Sequence, residues 1–578
     1  GERNASLTRL AGAMRHRGMS KESIVAALLQ ENQARCIPPL SDQEVKQIGT
    51  SISRYSPKAS YSTDSSHLSS NEKSNWGSGN AQLSRVLQLI EERRIVFFHD
   101  QFHTGFAHLP TQNHHATHPL RSRLFRRWLA YQIWQTEKTA PSSDTMERTI
   151  TILEARAIHE GEQRTLWNRV ARLQGDIWYD LGQGAVRIGP GHWEFVPDPP
   201  ILFYRYSHQR PQVPPTLGGS IADLVPSLHI SRDPETMDST TLLFIVYLVT
   251  LIIPDIPHPI LAVQGEQGSG KTTLFKVIRE LVDPSAIPIL GPQDSLREFI
   301  QLASHHWLVW LDNLTKLPEW MSDAMCRCVT GEGFSKRELF SDDEDILYSF
   351  RRCQGFNGIN LIANKPDLLD RALIFSLERI PDSHRQTEAE FWDQFFLHRP
   401  AYLGSLFTIL SHAMACLETI SPGHYPRMAD FARWGEAITV ALNLPPERFR
   451  NAWAQNQRMQ TQETLEASPI AQVLVKLMES DEVWNGSPQQ LLERLNALAP
   501  EVGVDTKSSL WPKDIRWVWR RMKEIRPSLA AHGIHSSRKR EGDQTRIQLV
   551  KKLSQNDCNV SVSSNPCPQQ EFLPERPE

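Results

Sequence analysis

The stretch PHPILAVQGEQGSGKTTLFKVI, residues 257–278, constrains this chain more than any other. An apolar run, Ile260 to Val263, enters a glycine-rich turn, Gly265 to Thr272, and a helical pattern comes next. This is GxxxxGKT between a strand and a helix, the arrangement of a phosphate-binding loop in an α/β core. Gly265, Gly268 and Gly270 free the backbone to wrap a phosphate chain. The start of the helix adds partial positive charge. Lys271 is expected at the β- and γ-phosphates and the Thr272 hydroxyl on Mg²⁺, with Thr273 beside it in the same cradle. The implied ligands are ATP and Mg²⁺.

Forty residues beyond Thr272, the run WLVWL, 307–311, ends on Asp312. A buried strand carrying an acid at its end suits a magnesium-holding carboxylate near that loop. A second acid that activates water usually comes next; here the residue is Asn313. An amide orients water but cannot take its proton. Positioning and charge stabilisation do most of the work in phosphoryl transfer, so this substitution slows hydrolysis without abolishing it. Asp323 in WMSDAMC and Glu332 in TGEGF are alternative acids, and the sequence does not choose between them.

Further along, KRELF and ILYSF flank the acidic SDDED, which reads as a β-hairpin. CQGFNGI then reads as a core strand ending at Asn357. KPDLLDRALIFSL sets Arg371 between a short helix and another strand. An Asn at a strand end beside the phosphate loop can sense a γ-phosphate, or it can simply turn the chain before Gly358. An Arg at the domain edge can reach a neighbouring subunit's nucleotide, or it can form a surface ion pair with Asp370 or Glu378. In this reading Asp312, Asn313, Asn357 and Arg371 are the catalytic set.

This order of phosphate loop, carboxylate strand, hairpin, Asn and LLDR resembles AAA+ ATPases. The closer likeness is to superfamily 3 helicases of the poxvirus primase-helicase kind, with some likeness to MCM helicases. The resemblance implies a hairpin that projects into a ring's channel and grips DNA, with Lys336 and Arg337 as the matching basic positions. YPRMADFARWGEAI, 425–438, resembles a lid helix, with Arg427 as its second sensor. Relatives suggest six subunits. At the N-terminus, GERNASLTRLAGAMRHRGMSKESIVAALLQEN with PPLSDQEV and SISRY resembles the primase C-terminal domain of plasmids, phages and integrated elements. That likeness implies a primase-polymerase domain before Gly1 or on a partner.

The 578 residues are too many for one core. The chain divides into a helical primase-C-terminal module (1–55), a Ser/Asn-rich linker (56–80), a mixed α+β domain without clear chemistry (81–235), the ATPase core (236–400), a helical lid (401–464), a basic C-terminal domain (465–552) and a polar tail (553–578). The last two are expected to be a winged helix and a disordered segment. Residues 511–552 hold twelve Lys/Arg against four Asp/Glu, although the whole chain carries a net charge of -3. Local patches must therefore carry any nucleic-acid contact. Arg520 and Arg521 fall on the third helix of that domain, and Arg538, Lys539, Arg540 and Arg546 on its wing; Trp511, Trp517 and Trp519 read as core. HHATH, 114–118, matches no metal template. The seven cysteines show no CxxC pair, as expected of reduced thiols in a cytoplasm. The longest apolar run, 241–254, is short for a membrane span and suits a buried helix. The expected function is an ATP-dependent, ring-forming helicase acting on single-stranded and forked DNA in replication of a mobile element, self-assembled as a homo-hexamer. The alternative is an ATP-gated initiator or loader that recruits primase or helicase without unwinding. A defence ATPase on the same core is a third possibility, against which the primase-type module argues.

Overall fold

The computed structural model describes residues 2–16, 20–35, 38–52, 82–93, 95–110, 115–230, 237–314, 317–337, 345–348, 350–358, 366–420, 428–508, 511–541 and 544–552. The linker and tail expected at 56–80 and 553–578 lie outside these residues, as do Arg427 and the hairpin tip. The chain divides into two units, Gly1–Gln88 and Leu89–Glu578.

In the first unit, three helices, Glu2–His16, Lys21–Arg35 and Asp42–Ile52, bury Leu7, Ala11, Ile24, Leu28, Val45 and Ile48 against one another. Ser41 and Glu44 cap the third helix reciprocally, satisfying N–H groups that its first turn leaves over. Asn32, buried, donates to the Leu40 carbonyl at 2.8 Å and accepts from its N–H at 2.9 Å, which pins the connection between the second and third helices.

The second unit begins with an antiparallel three-stranded sheet, Val96–His99, Gly105–Pro110 and His115–Pro119, then helices Arg123–Glu137 and Ser143–His159. A four-stranded antiparallel meander spans Val170–Leu173, Asp176–Asp180, Ala185–Gly189 and His192–Val196. At the centre lies a parallel sheet of β1 (Ile260–Gly265), β2 (Leu308–Leu311), β3 (Cys353–Gly358) and β4 (Ala372–Leu377), in the order β2-β3-β1-β4. β1 therefore lies between two strands that come after it in sequence. That topology leaves a crevice at the carboxyl ends of the strands, where ligands bind in open α/β sheets. β2 is buried throughout, as a strand covered on both faces must be.

The apolar run at 241–254 is the helix Ser239–Thr250, buried from Thr241 onward. The 29-residue helix Glu388–Cys416 crosses the boundary expected at 400 without a break. One hydrophobic core runs from Val170 to Trp453. The position expected as a boundary, 235, falls within this one core: the meander's Tyr179 ring lies 5.1 Å from that of Phe407 on the long helix, and its hydroxyl donates to the Val282 carbonyl at 2.7 Å. Among the described residues no helix is long and apolar enough to cross a membrane.

Residues 465–549 form a second core of helices Pro469–Ser480, Pro488–Leu498 and Ile515–Ala531 with three antiparallel strands. The hairpin Ile534–Glu541/Gln544–Lys551 matches expectation. Its third partner, Val483–Gly486, lies where the sequence suggests only a turn; Val483 pairs with Val550 and Trp484 with Leu549. Trp511 is buried as expected, but Trp517 is 40% exposed, which corrects its reading as core. Its ring lies 4.7 Å from the Arg520 guanidinium and 5.8 Å from that of Arg521.

A buried ion cluster joins meander and central sheet. Asp283, with no exposed surface, accepts from Arg169 Nε at 2.9 Å and from Arg279 Nη1 at 2.9 Å. Burial pushes the Asp283 carboxyl up, but the two guanidiniums outweigh it and hold it below its ordinary value of 3.8. Removing the carboxylate leaves two buried cations without an acid between them. Asp283→Ala is expected to cost about 3–5 kcal/mol of stability, measured by denaturant unfolding. Because the folded pKa is depressed, the cluster's contribution is present above the unfolded value near 3.8 and is lost as pH falls through the folded value. The wild-type protein should therefore lose stability in acid over that window, and Asp283→Asn should flatten the loss.

Candidate functional site

Backbone freedom shapes the loop after β1. Gly268 and Gly270 have φ of 79° and 83°, the left-handed region that favours glycine. A Cβ on Gly265 would meet the Leu377 carbonyl oxygen at 2.2 Å, so β4 closes over the loop only if that residue is glycine. Helix Lys271–Val282 starts directly from this loop. Lys271 Nζ donates to the carbonyls of Gly265 (2.6 Å) and Glu266 (2.7 Å) and lies 3.3 Å from Ser269 Oγ. Burial lowers its pKa, and Asp312 works against that shift. Thr273 is half-buried on the first turn of the same helix.

Asp312 stands at the carboxyl end of β2. Thr272 Oγ1 lies 3.0 and 3.3 Å from its two carboxylate oxygens. Asn357, buried near the end of β3, donates from Nδ2 to Asp312 Oδ1 at 2.6 Å. The structure thus gathers Thr272, Asp312 and Asn357 into one polar cluster from three separate elements. Asn357 is a strand residue here, not the turn before Gly358, which itself lies in β3. A hydroxyl and a carboxylate are hard oxygen donors of the kind Mg²⁺ takes.

Asn313 has a local reason to be Asn. Its backbone is left-handed, at φ 54°, where Asn is several-fold favoured over most residues. Its N–H donates to Asn357 Oδ1 at 2.7 Å, and the Leu314 N–H donates to the Asn357 carbonyl at 3.0 Å. Of the two alternative acids, Asp323 is exposed on helix Glu319–Thr330, and the Glu332 carboxylate lies 3.7 Å from Arg327 Nε.

Arg371 immediately precedes β4. Its carbonyl accepts from the Ile260 N–H at 2.8 Å, at the start of β1. The phosphate loop leaves the other end of β1, roughly 16 Å away at about 3.3 Å per residue. The side chain is only 14% exposed, and its guanidinium is paired with Asp367, through its carboxylate and, at 3.0 Å, its carbonyl. The expected partners were Asp370 and Glu378; the one-turn helix Pro366–Leu369 instead brings Asp367 under it.

Nothing in the sequence singles out Arg385. The segment after β4 folds back over the phosphate loop, where the Ile380 N–H donates to the Gly268 carbonyl at 3.3 Å. Arg385 Nη2 would lie 3.2 Å from a Cβ on Gly268. Its Nε is 3.3 Å from the Asp382 carboxylate, and the side chain is 45% exposed. A guanidinium thus stands beside the loop within its own subunit.

The hairpin expected near 336–350 is present, as Phe334–Arg337 paired antiparallel with Asp345–Tyr348. Lys336 lies opposite Ile346, and Arg337 opposite Asp345. At the C-terminal end, Arg538, Lys539, Arg540 and Arg546 are exposed on paired strands, with Lys539 opposite Arg546. The Arg538 guanidinium lies 5.8 Å from the Trp519 ring. Among the described residues no group of three or more His, Cys, Asp or Glu could hold a metal ion.

Three family models match the chain. Primase C terminal 1 covers residues 1–58. The actinomycete integrative conjugative element replication protein covers 234–448, and the C-terminal domain of the same RepA family covers 470–564. No curated protein matches. Among solved structures, the A-form apo C-terminal region of NrS-1 aligns over 81% of this chain and 98% of its own, at 10% identity and a TM-score of 0.37. Another apo structure of that region covers 80% and 98%, at 10% identity and 0.35. JCV helicase aligns over 39% of this chain and 66% of its own, at 11% identity and 0.21. The α/β fold rests on the strand order above and not on these distant likenesses. Residues 1–58 thus match a primase C-terminal module, and residues 234–448 and 470–564 match domains of the replication protein of actinomycete integrative conjugative elements.

Proposed function

We propose that this protein is an ATP-driven DNA helicase that assembles as a ring, in the AAA+ manner, to replicate its mobile element. The observation that carries the reading is the Thr272–Asp312–Asn357 cluster beside Lys271, at the carboxyl ends of parallel strands. Lys271 meets the β- and γ-phosphates of ATP, with Thr273 beside it and Gly265, Gly268 and Gly270 shaping the cradle. Mg²⁺ held by Thr272 and Asp312 would neutralise phosphate charge. Asn357 holds the Asp312 carboxylate in position and responds to the γ-phosphate. Asn313 lends its amide to water, and its N–H keeps Asn357 oriented.

Arg371 lies too far along β1 to serve its own loop, so it acts on the nucleotide of the next subunit, as a finger does. Asp367 holds it ready. Arg385 acts in cis on the nucleotide bound by its own loop, and Arg427 on the lid adds a second sensor. Hairpin residues Lys336 and Arg337 grip single-stranded DNA in the channel of a hexamer. The C-terminal domain is a winged helix whose Arg520, Arg521, Arg538, Lys539, Arg540 and Arg546 meet the phosphates of forked duplex. The N-terminal module couples the ring to a primase-polymerase in the cytoplasm. The second reading, an ATP-gated initiator or loader that does not unwind, draws on Asn313, whose amide cannot accept a proton. The left-handed backbone supplies a separate reason for that residue, which weakens the argument for slow turnover.

A strand-displacement assay on forked DNA separates the two. Displacement by the wild-type protein that is lost in Lys271→Ala supports the helicase; ATP-dependent DNA binding without displacement supports the loader. Arg371→Ala should lower kcat by roughly 10³–10⁵ in the assembled state while ATP affinity holds. Arg385→Ala should instead weaken ATP binding by about tenfold or more, read by titration with a fluorescent analogue, since a charge-assisted hydrogen bond contributes about 1.5–3 kcal/mol. Asn313→Val should cost more than about 1 kcal/mol of stability and Asn313→Gly much less, because only the glycine accepts that backbone without strain.

A further inference from the structure

A cleft of about 1590 Å³ lies beside the amino ends of β2 and β3, away from the phosphate loop. One wall comes from the first antiparallel sheet, around Phe102 and Phe106, and the other from Trp307 and Phe350 to Arg352. Asn168 ties the floor together, donating to the His305 carbonyl at 3.0 Å.

The lining is aromatic in a connected way. Tyr204 meets Tyr206 edge-on at 4.6 Å, and Tyr206 stacks on His305 at 4.4 Å and 28°. All three are half-buried, so their rings are partly open to the cleft. The lining is also cationic. Arg351 donates to the carbonyls of Thr330 (3.3 Å) and Asp255 (2.5 Å). Arg352 donates to those of Ala303 (2.8 Å), Arg351 (2.8 Å) and Ser304 (3.1 Å). Carbonyls fix a guanidinium without cancelling its charge. On the opposite wall, Glu154 and Glu147 neutralise Arg121, and the Asp100 carboxylate is tied to the Phe102 and Thr104 N–H groups.

Size and position narrow the ligand. The cleft exceeds the roughly 300–1,000 Å³ of a small-molecule site. Gly331 and Phe350 in its wall flank the hairpin Phe334–Tyr348 in sequence, so the cleft lies at the root of the hairpin. Tyr206 also stacks on His208 at 6.0 Å, and the ring surface that these residues leave partly exposed, beside fixed positive charge, suits unstacked bases on a phosphate backbone and not a closed duplex.

We propose that this cleft binds a single-stranded run of nucleic acid, with bases against Tyr204, Tyr206 and His305 and the backbone against Arg351 and Arg352. This goes beyond the helicase reading, because binding here requires neither ATP nor a ring.

The test uses the full chain with an oligothymidylate carrying 5-iododeoxyuridine. Photo-crosslinked peptides mapped by mass spectrometry should include the one containing Tyr204 and Tyr206, in Lys271→Ala as in the wild type. Crosslinks confined to hairpin and C-terminal peptides would overturn the proposal. By fluorescence anisotropy, Tyr204→Ala with Tyr206→Ala should weaken oligothymidylate binding about tenfold or more. The paired Tyr→Phe changes should stay near wild type, and ATP affinity should not move. A folded double-alanine variant that binds within twofold of wild type would equally overturn it. If that variant unfolds, the crosslink map decides. Loss of strand displacement with the cleft crosslink intact would count against the helicase reading alone.

Discussion

Two buried guanidiniums gripping one buried carboxylate fix the geometry on which this site depends. Asp283 caps the far end of the phosphate-loop helix, and through Arg279 it reaches the Leu308 carbonyl at the start of β2 (2.5 Å). Through Arg169 it reaches the Asp180 carbonyl on the meander (2.9 Å). The helix carrying Thr272 and the strand carrying Asp312 are thus clamped at the ends opposite to those residues. Such a cluster is costly to desolvate and strongly destabilising to break, so it serves geometry more than net stability. A second pair, Arg399 to Glu280 at 2.9 Å, holds the long helix Glu388–Cys416 to the same helix and continues to Gln212. Phosphate-loop helix, carboxylate strand, meander and long helix are therefore registered to one another by charge, within one apolar core.

How much of this is legible in the sequence depends on the range of the interactions involved. The phosphate loop is legible because glycine spacing, strand and helix are all local. Asp312 is legible because it ends an apolar run that reads as a buried strand, and Asn357 only in part, since CQGF before it leaves a turn open. The buried helix at 239–250 and the basic hairpin at 534–551 are legible for the same reason. The hidden features are those set by contacts across the fold. Arg169, Asp283 and Arg399 look like ordinary surface charges until three segments close around them. Arg385 sits among polar residues with no periodicity, and only the return of the chain over Gly268 gives it meaning. Val483–Gly486 is too short to announce itself as a strand; its partner at 544–551 makes it one. Trp517 reads as core because Trp usually is, yet helix 515–531 turns it outward and sets Arg520 and Arg521 on its ring.

The boundary expected at 235 coincides with the start of a family match at 234, yet the apolar core runs across it. The two inner strands of the meander are buried on both faces, one face in the main core and the other against Ile201 and Phe203, so the sheet is not a solvated surface layer. The meander instead meets the helices: Tyr179 donates from its hydroxyl to the Val282 carbonyl at 2.7 Å, and its ring packs on Phe407. The segment that offers no chemistry of its own thus holds the phosphate-loop helix in place and, through Tyr204 and Tyr206, floors a cleft.

The central sheet has two ends with different chemistry, and β3 spans both. At its carboxyl end Asn357 touches Asp312, and through it Thr272. At its amino end Cys353 is preceded by Arg351 and Arg352, which lead back to the hairpin and form a wall of the cleft. Five residue steps, roughly 16 Å of fully buried strand, separate the two ends. A packed strand moves as a body or not at all, since close-packed cores switch between arrangements and do not deform gradually. In the proposed reading, nucleotide at one end biases the Asp312–Asn357 contact, and β3 carries that bias to the root of the hairpin without any further relay. The two contacts of Asn357 explain why an Asn rather than a charged residue stands one place before the end of β3. A neutral amide can donate to Asp312 and accept from the Asn313 N–H together, whereas a carboxylate there would repel Asp312 and a cation would pair with it too tightly to release.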